Sequence, residues 1–85
     1  MTTTPYINLN GTSPGELLKD YRLAIAALRG AISCLATTAP NRRDYQTAPM
    51  GTFARAQSEH RARLARLECV MSELEMLTEH ISDQR

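Results

Sequence analysis

Apolar residues recur every three or four positions in two long blocks of this chain, with a stretch between them that cannot carry the pattern. The first block repeats Leu18, Tyr21, Ile25, Leu28, Ile32 and Leu35, and Leu17, Ala24 and Ala31 widen the stripe. This is the spacing of one face of an α-helix packed in a bundle. Its start is marked too. Ser13 can cap the helix, Pro14 suits the first helical position, and Glu16 completes a capping box. The pattern predicts a helix over about 13–38. The second block repeats Phe53, Gln57, His60, Leu64, Leu67, Met71, Leu74, Thr78 and Ile81, flanked by Ala56, Val70 and Leu77. It predicts a helix over about 52–82, with a seam weak near its start and strong near its end. Between the blocks, residues 39–51 (APNRRDYQTAPMG) contain two prolines and a glycine, which exclude continuous helix.

Two helices joined by one loop define an all-α fold, an antiparallel helical hairpin over residues 13–85. Residues 1–12 form an N-terminal arm with one short apolar patch, Tyr6 to Leu9, closed by an Asn-Gly turn signal. The loop is longer than two antiparallel helices require, and surplus length at a hairpin tip more often reflects function than a bare linker, the alternative. A second stripe on helix 1, Leu23, Ala27, Gly30 and Cys34, lies on another face. Gly30 costs about 1 kcal/mol relative to alanine in a helix interior; it is either a tolerated surface glycine or, the preferred reading, a small residue that lets another helix approach closely. One partner helix cannot cover both stripes, and a lone hairpin of this size buries little. The chain is therefore expected to assemble as a homo-oligomer, a helical bundle or ring of hairpins, with Leu23, Ala27 and Gly30 at the interface.

Composition narrows the class. The 85 residues form one domain, 42% hydrophobic but only 5% aromatic and without tryptophan, so the core must use Leu, Ile, Met and Ala, which favour helix. Residues 1–10 lack the basic start and apolar run of a secretory signal, and no stretch is long enough to span a bilayer. The expected location is the cytoplasm, away from membranes, with Cys34 and Cys69 as free thiols.

Charge changes the picture more. The net charge is only +1, but from Arg42 to Arg66 six arginines face Asp44 and Glu59, giving +4, whereas Leu67 to Gln84 holds five acids and no base, giving −5. The helix dipole favours the opposite order by about 0.3–1 kcal/mol per well-placed charge. Three explanations fit: a solvated charged face, self-assembly in which the basic tip of one hairpin meets the acidic base of another, and recognition of an anion. Arginine suits the last, because its planar fork grips phosphate or carboxylate with two hydrogen bonds. Arg42, Arg43, Arg55 and Arg61 are the candidate contacts, with Tyr45 placed to stack on a base. The ligand would be a small phosphate-bearing molecule or an acidic surface of a host protein. Duplex nucleic acid is disfavoured, since an acidic end of equal size would be repelled.

Enzymatic chemistry finds no support. There is no glycine-rich phosphate loop, no zinc-ligand cysteine spacing and no nucleophile elbow. His60 and His80 are too far apart on one helix to share a metal, and His60 on the seam reads as a buried structural histidine. No catalytic residue, metal or cofactor is expected.

The arm YINLNGTSPGELL, the tip NRRDY and the run EHRARLARLECVMSELEML resemble those of small helical-hairpin proteins encoded by tailed phages and prophages. That resemblance implies a host-takeover or counter-defence factor that works by binding. In size, hairpin plan and the presence of Arg and Tyr, the chain is also similar to hexameric hairpin sponges that sequester the cyclic-nucleotide signals of bacterial immunity, an analogy at the level of fold. The expected function is thus non-enzymatic sequestration or blocking of a host component, with a cyclic nucleotide held by the arginine-rich tip as one form. The alternative is a structural or assembly bundle protein with no small-molecule ligand.

Overall fold

Ser13 begins the ordered hairpin as the sequence leads one to expect. Its backbone is extended and its hydroxyl oxygen accepts a hydrogen bond from the Glu16 amide at 3.2 Å, satisfying one of the free donors of the first turn. The computed structural model describes residues 2–5, 11 and 13–83. The Tyr6–Leu9 patch and all of the Asn-Gly turn but Gly11 lie outside those residues. Helix α1 spans Pro14–Ala36 and helix α2 spans Thr52–Asp83, with a short 3₁₀ turn at Arg42–Tyr45 between them. The hairpin is therefore all-helical among the described residues, and none of its helices is long and apolar enough to cross a membrane.

Helix α1 ends at Ala36, two residues before the expected Thr38. The threonines are the reason. The amides of Thr37 and Thr38 reach back to the carbonyls of Cys34 and Leu35 at 3.2 and 2.9 Å, and both hydroxyls donate to the same carbonyls at 2.7 Å. These tight bonds close the helix end and turn the chain out.

The two helices hide seam positions and one flanking residue, Leu77. Leu18 and Ile25 of α1 are buried, as are His60, Leu77 and Ile81 of α2, while Tyr21, Leu28, Ile32, Leu35, Leu64, Leu67, Met71 and Leu74 are half-buried. Three of the four buried apolar side chains, Leu18, Leu77 and Ile81, belong to the open end of the hairpin, where α1 begins and α2 finishes. The tip half buries only His60. Four such side chains, worth about 1.5–3 kcal/mol each, make a thin core for this length. The radius of gyration is 18.5 Å, against about 12 Å for a compact chain of equal length.

Candidate functional site at the hairpin tip

The loop is built rather than slack. Asn41 caps the 3₁₀ turn, its side-chain oxygen accepting from the Arg43 amide at 2.9 Å while its carbonyl accepts from the Asp44 amide at 2.9 Å. Further along, the Ala48 amide donates to the Tyr45 carbonyl and the Thr52 amide to that of Pro49. Gly51 then enters α2 with φ of 89°, a left-handed conformation open mainly to glycine. The turn is also pinned to α2 by aromatic contact. Tyr45 meets Phe53 with ring centroids 5.7 Å apart at 52°, and the Arg42 guanidinium sits 5.0 Å from the Phe53 centroid.

Two clefts flank this tip and share Ala39, Pro40 and His60. The larger, about 420 Å³, is lined by Leu35, Ala56, Asp44, Tyr45, Glu59 and Arg63 among others, whereas Gln57 and Arg61 complete the smaller, about 200 Å³. Helical geometry puts Ala56, Glu59 and Arg63 on one flank of His60 and Gln57 and Arg61 on the other, so His60 stands between the clefts. It is 7% exposed, and its Nε2 is buried without a hydrogen-bond partner. An unsatisfied buried donor or acceptor costs about 1–3 kcal/mol, so the group invites an explanation.

The expected contacts divide. Tyr45 lines the larger cleft and Arg61 the smaller. Arg42 lines neither cleft; it is exposed, with its guanidinium packed on Phe53. Arg43 is exposed, its backbone tied to Asn41, and Arg55 is exposed in the first turn of α2. Among the described residues Glu59 pairs with neither Arg55 nor Arg63, although both stand at one-turn spacing. Of the lining residues only Tyr45 and Arg61 are expected contacts; His60, Gln57 and Arg63 are among those the sequence does not mark out as ligand contacts. Arg63 belongs to the basic run and Gln57 to the seam, but neither position points to a ligand, and a histidine on an apolar seam is usually structural.

The charges around the two clefts differ. The larger cleft offers Arg63 against Asp44 and Glu59, which is no place for a free anion. The smaller offers Arg61 with the Gln57 amide and His60 and no acid. Its volume admits a phosphate- or carboxylate-sized group. Among the described residues no three His, Cys, Asp or Glu side chains come together as metal ligands, and Cys34 and Cys69 are exposed free thiols. Leu23, Ala27 and Gly30 are all exposed, and a methyl group built on Gly30 would meet nothing within 4 Å. No protein family, curated protein or solved structure matches the chain.

Proposed function

We propose that the hairpin is a non-enzymatic binding module that holds an anionic group of a small ligand at its tip, between Arg61, Gln57 and His60. The observation that carries this reading is His60, a buried imidazole with an unpartnered Nε2 beside an arginine in an acid-free cleft. A phosphate oxygen there would accept from the Arg61 fork and from the imidazole, removing the penalty of the orphaned nitrogen. A nucleotide, including a cyclic one, supplies such a phosphate, and sequestering it is the role of a phage or prophage accessory factor. The acids of the larger cleft suit hydrogen-bond donors, so the anion belongs in the smaller.

A structural bundle protein without ligand is the second reading, favoured by the thin core and elongated form. Native mass spectrometry of protein purified gently from cells separates the two. Retained mass of nucleotide size, lost in Arg61→Ala and His60→Leu variants of unchanged helicity, is the expected result. A bare protein that also fails to bind cyclic di-AMP and inorganic pyrophosphate in calorimetric titration would sink the ligand reading.

A further inference from the structure

The hairpin leaves one broad face uncovered, and the larger cleft fixes which sides of the two helices form it. Leu35 lines that cleft together with Ala56, Glu59 and Arg63, so these positions share a face. Stepping back along α1 from Leu35 at helical spacing gives Ala31, Leu28, Ala24 and Leu17 on the same side. Stepping along α2 in sevens from Ala56 and Arg63 gives Val70 and, at the edge of the face, Leu77, which the hairpin itself already buries. Away from the tip the face is apolar. Leu17 and Leu28 are half-buried, Ala24 and Ala31 are exposed, and Val70 keeps 44% of its surface in solvent.

We propose that a second copy of the chain docks on this face, antiparallel, to make a four-helix bundle with the two tips at opposite ends. Surface area argues for the occupant. The chain exposes 6564 Å² at 9.5 kDa, where a globular monomer of that mass exposes about 5,000 Å². The excess, roughly 1,500 Å², is ample for an interface that removes about 800 Å² from each partner.

Charge sets the orientation. Aligning the two seams places Ala24 level with Glu68, near the middle of α2. A two-fold axis through the apolar patch then lays the basic half of one α2 (Arg55, Arg61, Arg63, Arg66) over the acidic half of the other (Glu68, Glu73, Glu75, Glu79, Asp83). A parallel pairing would superpose two basic tips. Arg66 and Glu73 lie on the same flank of α2, so the antiparallel pairing brings Arg66 within reach of Glu73 of the second copy. The charge order that opposes the helix dipole becomes complementary only in this assembly. The Leu23–Ala27–Gly30 face, by contrast, belongs to α1 alone and points away from α2.

Sedimentation velocity at micromolar concentration tests the contact, with helicity followed by circular dichroism. Wild type should sediment as a dimer and Ala24→Glu with Ala31→Glu as a folded monomer, since both alanines are exposed in the single hairpin. Leu23→Glu should remain dimeric. Arg66→Glu should weaken the dimer about tenfold, turning two symmetry-related attractions into repulsions, and adding Glu73→Arg should restore it. Spin labels on Cys34 in a Cys69→Ser background should lie roughly 30 Å or more apart, because each sits about ten residues from the axis along α1. A monomeric wild type, dissociation by Leu23→Glu with Ala24→Glu/Ala31→Glu intact, or a short label distance would each overturn the proposal.

Discussion

His60 occupies a position on the α2 seam where leucine would serve the packing better. Its burial was legible in the sequence, because the three-and-four spacing carries straight through it. Its missing partner was not legible, because that depends on the path of the loop, which lines both clefts beside it with Ala39 and Pro40 and leaves its Nε2 without a hydrogen bond. His60→Leu should therefore leave stability to denaturant unchanged or raise it by about 1 kcal/mol, replacing an orphaned polar group with an apolar one of similar size. The same variant should lose affinity for any tip ligand. A drop of several kcal/mol would mean that the imidazole holds a structural bond. Arg42 teaches the complementary lesson. The 3₁₀ turn folds its guanidinium onto Phe53 while leaving the residue exposed, and no spacing rule in a loop shows that. Phe53→Ala removes the surface on which both Arg42 and Tyr45 rest. It is expected to cost about 1–2 kcal/mol and to open the 42–50 segment to limited proteolysis, with helix content retained.

At the scale of elements, the two helices and their seams could be read from periodicity because helical spacing repeats over many turns. The ends could be read only within about two residues, since hydroxyls of Thr37 and Thr38 decide the stop locally. The 3₁₀ turn escaped altogether, resting on one Asn41 cap. Glycines test these assignments. Gly51 has positive φ, so Gly51→Ala should destabilise by about 1 kcal/mol despite open space around it. Gly30 lies within α1 with nothing near an added methyl, so Gly30→Ala should raise the melting temperature, by an equivalent of about 1 kcal/mol. If it instead lowers stability or the oligomer mass, another helix packs on that face as the small-residue stripe suggested. Thermal melts of the two variants side by side give the contrast.

Across the whole molecule, most of the buried apolar side chains gather at the open end, opposite the tip where we propose the ligand binds. Ile81 is fully buried at the open end, and Ile81→Ala should cost about 2–5 kcal/mol and abolish cooperative unfolding in a core this thin. Substitutions of Arg61 at the other end should leave the melt untouched. The antiparallel bundle would carry two binding ends pointing outward, each projecting beyond the apolar patch. The uneven core has a kinetic consequence as well. Amides near Leu18, Leu77 and Ile81 should exchange hydrogen with solvent only when the whole chain opens. Those between Leu35 and His60 should exchange through a local opening of lower free energy. Ligand entry would use that same opening, and a bound phosphate would slow exchange at the tip while leaving the base unchanged.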